Sequence, residues 1–345
     1  MIGEGSTFEE SFAISGQIVG GTAPCFVIAE AGVAHFGDFE LGRQLLELAI
    51  TAKADAFKLQ VYDVETLFTE ACKDWRDRLR SRVLDYPQLE ILRERCREAG
   101  IAFILTAHEE SRIPWLESLE VDAVKVGSGE RNNPGFISKL ARLNRPMILS
   151  TGMHAEHDVV ESIEAVHAVG ARRLALLHCV SAYPTESADV NLRVMDRLRG
   201  LFPGPVGYSD HTEDEVAILT AVARGAQMIE RHITILRDVP NAQDWKVSSG
   251  PEDFPVLVER IRNVEKMLGH GRLEISSVEE KTALWALKSL VAVRDLEAGH
   301  PLQSEDLLAK RPADGLPPSE LPKLVGRHLR ESVKKDNVIT WDHLK

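Results

Sequence analysis

The sequence predicts an α/β protein: a (β/α)8 barrel followed by a smaller, β-rich C-terminal domain. Short apolar runs typical of β-strands alternate with longer amphipathic helical patterns from residue 25 to about residue 270, and the pattern becomes short and irregular after Gly271. Eight strand–helix units in about 250 residues are the usual content of such a barrel, whose active site lies at the C-terminal strand ends. A doubly wound sheet would need fewer units and a glycine-rich turn after its first strand, which this sequence lacks.

Eight runs have strand character, and a helical pattern follows each one. The predicted strands are residues 25–30, 56–60, 102–106, 123–127, 146–150, 174–179, 206–208 and 228–232. The helical pattern at 41–52 follows the first strand, and the pattern at 88–99 ends before Gly100, a residue type typical of helix C-caps. Ahead of the barrel, residues 12–21 predict a small hairpin placed to close its base.

The predicted domain boundaries follow from this pattern. We expect the catalytic barrel at residues 1–275, a linking helix at 276–288 and the second domain at 289–345. The tail has a strand-like run at 290–293 and a proline-bearing loop at 311–315, so it has elements of its own.

Composition limits the function classes. The net charge of −12 disfavours nucleic acid and membrane surfaces as partners, although it allows a small anionic substrate in a local basic pocket. The four cysteines, Cys25, Cys72, Cys96 and Cys179, have neither CxxC nor zinc-site spacing, which favours free thiols in a reducing compartment. The first ten residues lack the apolar core of a signal peptide, and no run has membrane-spanning length. We therefore expect a cytoplasmic enzyme.

Two histidines at neighbouring strand ends are the most informative feature of the chain. The segments 207–212 and 229–232 end two predicted strands with one helical stretch between them. This spacing places His211 and His232 at the same end of adjacent parallel strands, roughly 5 Å apart. Two converging imidazoles, each beside a carboxylate, can hold a divalent metal. A structural role for each histidine is the alternative.

Other polar residues follow the same strand ends. Lys58 and Gln60 are two residues apart and therefore share one face of a strand. The further candidates are Glu30, Lys125, Ser128, Glu130, Ser150, Ser181, Tyr183, Ser209 and Glu230. Lysines with hydroxyl groups suit a phosphate or carboxylate, and histidines with acids suit metal binding and proton transfer. Internal Lys–Glu ion pairs are the alternative, and these patterns alone do not name a reaction.

Seven segments in order are more specific. They are residues 28–38 (IAEAGVAHFGD), 54–60 (ADAFKLQ), 125–130 (KVGSGE), 149–153 (LSTGM), 177–179 (LHC), 207–212 (GYSDHT) and 230–232 (ERH). Together they closely resemble the sialic acid synthase (N-acetylneuraminate synthase) family. The tail, with SLVA at 289–292, KRP at 310–312 and ITWD at 339–342, resembles that family's antifreeze-like (SAF) domain. The resemblance runs from about residue 12 to the end of the chain.

The resemblance implies a reaction. Phosphoenolpyruvate would condense with an open-chain N-acyl hexosamine, such as N-acetylmannosamine or a related modified sugar, giving a nine-carbon 2-keto-3-deoxy acid and phosphate by C–O cleavage. A divalent metal, Mn²⁺ or Mg²⁺, held by His211 and His232 would polarise the aldehyde. A dication there would stabilise the charge that the aldehyde oxygen gains. The family also implies a homodimer with exchanged SAF domains.

The resemblance further implies roles for single residues. Phosphoenolpyruvate would be bound by Lys58, Thr106, Lys125, Ser128, Ser150 and Ser209. Glu30 would handle the sugar or a proton, and the catalytic candidates are Glu30, Lys58, Gln60 and Glu230. The rest of the pocket would be Glu130, Ser181 and Tyr183. Asp244 would contact sugar hydroxyls, and Arg311 would reach the active site from the SAF domain of the partner subunit.

Three departures from the family pattern concern the sugar. The usual Asn-His-Asn-Gly is Ala34-His35-Phe36-Gly37, an asparagine is replaced by Ser181, and Pro-Asp-His is Gln243-Asp244-Trp245. The acceptor therefore stays open between N-acetylmannosamine and a legionaminic- or pseudaminic-type precursor.

Two other functions remain as alternatives. One is an aldolase that uses a pyruvate enolate and releases no phosphate. The other is a non-catalytic binding protein, against which the presence of Lys58, Lys125, His211 and His232 argues.

Overall fold

Eight parallel strands close into a barrel in the order in which they occur along the chain. The computed structural model describes residues 8–240, 242 and 244–345, so Gln243 and the first seven residues of the predicted barrel domain lie outside the described residues. The strands are β1 Ser11–Ile14, β2 Gln17–Gly20, β3 Phe26–Gly32, β4 Ala56–Val61, β5 Ala102–Ala107, β6 Ala123–Val126, β7 Met147–Ser150, β8 Leu174–His178, β9 Val206–Asp210, β10 Met228–His232, β11 Ser289–Ala292 and β12 Leu307–Lys310. Strands β3 to β10 form the barrel, and β10 pairs with β3 to close it. The predicted barrel is confirmed.

Helices follow every barrel strand. They are α1 Phe39–Thr51, α2 Val64–Leu67, α3 Lys73–Arg80, α4 Tyr86–Ala99, α5 Ile113–Ser118, α6 Pro134–Ala141, α7 Glu156–Ala168, α8 Val194–Leu201, α9 Val216–Ala223, α10 Phe254–Leu268, α11 Ser277–Ala286 and α12 Leu321–Leu324. Helices α1 and α4 each begin two residues before the predicted start. Asp38 and Asp85 cap their first turns through side-chain hydrogen bonds to backbone N–H groups. Gly100 ends α4 in the left-handed conformation, with φ of 70°.

The barrel interior changes character along its axis. Alternate residues of each strand point inward, and at the N-terminal end these are apolar, as in Phe26 and Ile28 of β3. The β1–β2 hairpin adds Phe12, Ile14 and Val19 to the same buried cluster. The next inward positions toward the C-terminal end are polar. The fold therefore seals one end of the barrel and leaves charged side chains at the other.

The chain divides into two compact units, of which the first ends at Gly269 and the second is His270–Lys345. The second unit contains α11, the antiparallel pair β11–β12 and α12. Its own small core includes Leu290, Leu302, Leu324 and Leu329. Within the described residues, no helix is both long enough and apolar enough to cross a membrane.

Candidate active site

The predicted polar residues of the barrel meet in one cavity at the C-terminal strand ends. Strand register places Glu30 beside both Lys58 and His232, and Ser209 beside Glu230. The cavity has a volume of about 370 Å³. Its lining includes Glu30, Lys58, Gln60, Thr106, Lys125, Ser128, Glu130, Ser150, Ser181, Tyr183, Ser209, His211, Glu230, His232 and Asp244. Every predicted site residue of the barrel is thus brought together.

Arg311 is the predicted site residue that this cavity does not include. It belongs to the second unit, where its guanidinium carbon lies 5.4 Å from the ring centroid of Trp285.

Two buried lysines form the floor of the cavity. The Nζ of Lys58 lies 2.9 Å from Glu30 Oε2 and 3.8 Å from Glu230 Oε2, and it donates to Thr106 Oγ1 at 3.3 Å. Burial opposes the charged form of Lys58, but the carboxylates of Glu230 and Glu30 outweigh burial and raise its pKa. Lys58 is therefore held as a cation.

Lys125 has fewer partners. Its Nζ donates to Ser150 Oγ at 2.7 Å and lies 3.5 Å from Glu230 Oε2. Burial and the charge of Lys58 lower the pKa of Lys125 despite the opposing effect of Glu230. An incoming anion would favour its charged form, so this lysine is suited to bind a phosphate or a carboxylate.

Glu230 joins the two lysines electrostatically. Burial favours its neutral form, but Lys125, Lys58 and His232 together lower its pKa, so Glu230 is ionised at neutral pH. Ser209 Oγ donates to its Oε1 at 3.0 Å. The Oε2 atoms of Glu230 and Glu30 are buried without a hydrogen bond of good geometry, although both face lysine ammonium groups. Such atoms can accept from a bound substrate or water.

Beside Lys125 lies a tightly packed group of small residues that we call the shelf, namely Ser128, Gly152, Cys179 and Ser181. The N–H of Gly152 donates to Ser128 Oγ at 3.0 Å, and that hydroxyl lies 3.2 Å from Cys179 Sγ. A Cβ on Gly152 would come within 2.5 Å of Ser181 Oγ, so a larger residue here would displace the neighbouring polar groups. The shelf fixes the Ser128 hydroxyl next to the lysine.

His211 and His232 lie side by side at the rim, with ring centroids 5.4 Å apart. The Nδ1 of His211 donates to Val180 O at 2.7 Å, which leaves its Nε2 with a free lone pair. Burial, together with the neighbouring His232, lowers the pKa of His211 to about 3, so the ring is neutral at pH 7. A neutral imidazole with its tautomer fixed is the form that ligates a metal, and the pair fits a divalent cation.

No group of three or more metal-type side chains is found in the described residues. Two side-chain ligands would leave the other coordination positions of a divalent cation to water and substrate, as in catalytic metal sites.

A buried ion pair holds the two histidine-bearing strand ends in register. Asp210 and Arg231 are the outward-facing residues next to His211 and His232, and their side chains form a salt bridge. Asp210 also accepts from the hydroxyls of Tyr208 and Thr212, both at 2.9 Å. Because both charged groups are buried, removal of either partner would leave an uncompensated charge.

A second cavity of about 420 Å³ adjoins the first. The two share Gln60, His108, Gly129, Glu130 and Asp244 as lining residues. The remaining wall of the second cavity is mainly apolar, and we call this second cavity the aromatic chamber. It includes Val33, Ala34, Phe36, Leu67, Phe68, Trp75, Leu79 and Trp245.

The NeuB family matches residues 45–273, which is more than half of the chain. The chain belongs to the NeuB family. The SAF domain matches residues 288–345. The resemblance to the sialic acid synthases is thereby confirmed.

Individual relatives agree with this assignment. An N,N'-diacetyllegionaminic acid synthase from Legionella pneumophila is 34% identical, with 94% of this chain and 96% of the relative covered. The N-acetylneuraminate-9-phosphate synthase of Homo sapiens is 32% identical, with 94% of each chain covered. The crystal structure of the N-acetylneuraminic acid (sialic acid) synthetase from Leptospira borgpetersenii with citrate has a TM-score of 0.74 and 30% identity, covering 80% of this chain and 96% of that one. These relatives are synthases of nonulosonic acids.

One residue of this NeuB-family site was missed from the sequence. His108 Nε2 donates to Gln60 Oε1 at 3.1 Å, and Gln60 Nε2 donates to Glu30 Oε1 at 2.7 Å. Burial, then the charges of Lys58 and Lys125, lower the pKa of His108 to about 4. The signal was present, because His108 follows Thr106 by two residues and therefore points to the same side.

Proposed function

We propose that this NeuB-family chain is a transferase that condenses phosphoenolpyruvate with the open-chain aldehyde of an N-acyl hexosamine. The products are a nine-carbon 2-keto-3-deoxy acid and inorganic phosphate. The observation that carries the proposal is the cavity in which Lys58 and Lys125 lie within reach of one carboxylate, Glu230, beside the paired imidazoles of His211 and His232.

In this proposal the phosphoenolpyruvate anion lies over the lysine side of the cavity. Lys125 and Ser150, already joined at 2.7 Å, bind one anionic group, and Ser128 on its shelf adds a donor. Lys58 with Thr106, and Ser209, bind the other anionic group. Charge-assisted hydrogen bonds of this kind are shorter and stronger than neutral ones, so they fix the orientation of the enol carbon.

The histidine pair at the rim of the same cavity is the proposed binding site for a divalent cation. His211 and His232 would hold Mn²⁺ or Mg²⁺, which when bound supplies Lewis-acid polarisation of a carbonyl oxygen. Tyr183 packs its ring 4.1 Å from that of His211 and restricts the imidazole's position.

The reaction forms one carbon–carbon bond and breaks one carbon–oxygen bond. The C3 carbon of phosphoenolpyruvate bonds to the aldehyde carbon, whose oxygen takes a proton and becomes a hydroxyl. Water adds at C2 and gives up one proton, which balances the proton taken by the aldehyde oxygen. The C2–O bond to phosphate then breaks, and the new C2 hydroxyl passes its proton to the departing phosphate to leave the ketone. Glu30 is placed for these proton transfers, because Gln60 and His108 orient its carboxylate from one side and Lys58 faces it from the other. Enclosing both substrates also removes the entropic cost of their meeting.

We also propose a cytoplasmic homodimer with exchanged SAF domains. The four cysteines are free thiols, which accords with a reducing compartment. Residues 273–287 of the second unit carry exposed apolar side chains, among them Leu273, Val278, Leu284 and Trp285, which favours burial against a partner. In the dimer, Arg311 of each chain would serve the barrel of the other.

A mixed dimer tests this exchange. Arg311→Ala and His211→Ala homodimers should each be nearly inactive, whereas unfolding and refolding the two chains together should restore part of the activity. One site in the mixed dimer would combine an intact barrel with an intact partner tail. If Arg311 serves its own barrel, no site is whole and the mixture stays inactive.

The reaction itself is tested with a panel of N-acyl hexosamines incubated with phosphoenolpyruvate and Mn²⁺. We expect acceptor-dependent release of phosphate, and a product whose mass equals acceptor plus pyruvate. Lys139→Ala, a change at an exposed lysine paired with Glu110, is the matched control and should behave as wild type. An adduct formed from free pyruvate without phosphate release would indicate the aldolase instead.

A further inference from the structure

The aromatic chamber is lined mainly by apolar side chains, which offer few hydrogen-bond partners to a hydroxyl-rich sugar. Phe36 comes from the loop after β3, Phe68, Trp75 and Leu79 come from the α2–α3 region, and Trp245 comes from the turn after β10. These side chains converge from separate segments on one cavity that opens into the reaction site. An apolar wall of this size binds through desolvation and offers hydroxyl groups few partners.

Apart from Arg82, the charged side chains that line the chamber carry carboxyl groups, which repel a phosphate. The Tyr62 hydroxyl donates to the carbonyl oxygen of Arg82 at 2.9 Å. Glu130 and Asp244 lie where the two cavities meet, so two carboxyl groups face anything that passes between them. Among the described lining residues Arg82 is the one permanent cation, and its guanidinium lies 5.1 Å from the Phe36 ring centroid.

Phe36 occupies a backbone conformation that its residue type rarely adopts. Its φ is +49°, in the left-handed region where glycine and asparagine are the common residues. The neighbours hold it there: His35 is buried and accepts the N–H of Gly37 at 3.0 Å, and a Cβ on Gly37 would overlap the carbonyl oxygen of Ser81. The backbone alone would favour asparagine. A bulky ring in such a conformation points to a role for the ring itself.

We infer that the aromatic chamber selects an acceptor whose end remote from the aldehyde is uncharged and apolar, with Phe36 as a specificity-determining residue. The chemical class is an N-acyl hexosamine that carries a deoxygenated carbon at that end, in place of a hydroxyl or a phosphate ester. This inference rests on the proposed function for the position of the aldehyde.

The test uses acceptor analogues that bind but cannot condense. Reduction of C1 to an alcohol gives N-acetylhexosaminitols, which stay open-chain and lack the aldehyde. Three matched alditols differ only at C6, which carries a hydroxyl, a hydrogen or a phosphate ester. Their dissociation constants are measured by calorimetry for the full-length protein with phosphoenolpyruvate and Mn²⁺ present.

For the wild type we expect the 6-deoxy alditol to bind about tenfold more tightly than the 6-hydroxy alditol, and the 6-phosphate to bind most weakly. Phe36→Asn should bring the deoxy and hydroxy affinities within about twofold, without lowering the melting temperature, since asparagine tolerates this φ. Ile91→Asn removes an exposed apolar side chain of α4 and should leave the tenfold preference unchanged.

The inference is overturned if the wild type prefers the hydroxyl or phosphate form, if no alditol binds, or if Phe36→Asn keeps the full preference. Failure of the proposed function looks different. In that case the corresponding aldehydes release no phosphate from phosphoenolpyruvate, whatever the alditols do.

Discussion

The two adjoining cavities are built from different parts of the barrel. The reaction cavity takes its charged side chains from strand ends, where register fixes Lys58 beside Glu30 and Ser209 beside Glu230. The aromatic chamber takes its side chains from loops and short helices, such as the segment bearing Phe36 and the turn bearing Trp245. Strand register fixes the positions of the reacting side chains, whereas loop residues can be substituted without moving them. We therefore expect changes in the first cavity to alter the reaction, and changes in the second to alter the acceptor.

The largest effect is expected at the histidine pair. His211→Ala should lower the rate of condensation roughly a thousandfold or more, because the site would lose one of the two imidazoles that would hold the electrophilic metal ion. Mn²⁺ affinity, measured by calorimetry, should fall with it. His328→Ala, at an exposed histidine of the second unit, is the control. Near wild-type activity of His211→Ala would show that the metal assignment is wrong.

Loss of Lys125 should separate the two substrates. Lys125→Ala removes a charge-assisted partner worth about 2–3 kcal/mol, so the apparent KM for phosphoenolpyruvate should rise roughly 30- to 150-fold. The KM for the sugar should stay within about threefold, since Lys125 lines the reaction cavity and does not line the aromatic chamber. Steady-state kinetics with each substrate varied in turn measures both. A comparable rise in both values contradicts the division of the site.

His108, which lines both cavities, should make the free energy of unfolding depend on pH. Its pKa is lowered from 6.5 to about 4 by burial, then by Lys58 and Lys125, so the unfolded chain takes up a proton at a pH where the folded chain does not. The free energy of unfolding that the neutral His108 imidazole contributes is fully present above about pH 6.5 and is lost as the pH falls toward 4. Between pH 7 and pH 5 it should amount to about 2 kcal/mol of unfolding free energy.

Urea titrations at those two pH values measure this effect. His108→Gln keeps a hydrogen-bonding side chain but cannot be protonated, so the variant should lose less stability than the wild type on acidification. An equal loss in both proteins would exclude this source of the acid sensitivity.

The smallest effect is expected in the aromatic chamber. Trp245→His should change the relative kcat/KM among N-acyl hexosamines by about three- to tenfold, while the KM for phosphoenolpyruvate stays within about twofold. Kinetics with a pair of acceptors reads out both values. A parallel change for both substrates would count against two separate cavities.

Strand alternation explains why the barrel and its rim could be predicted from the sequence. Once residues 56–60 are assigned to a strand, Lys58 and Gln60 must share a face, and the same period places Glu230 and His232 together. Polar strand ends were harder to recognise: β9 extends to Asp210, two residues past the prediction, because Ser209 and Asp210 pair with β10.

The aromatic chamber was not predictable in the same way. Its side chains come from segments with no common period, and sequence spacing gives no measure of where such loops converge. Phe36 was visible only as a departure from the family pattern. Its φ of +49°, and the approach of Gly37 to Ser81, are properties of the folded chain.

The fate of one oxygen atom tests the central claim most directly. Phosphoenolpyruvate labelled with ¹⁸O in the oxygen that bridges C2 and phosphorus is turned over with an active acceptor, and the released phosphate is examined by ³¹P NMR. Condensation with C–O cleavage predicts that the phosphate carries the label. Unlabelled phosphate would mean that the P–O bond breaks, and would contradict the mechanism proposed for this site.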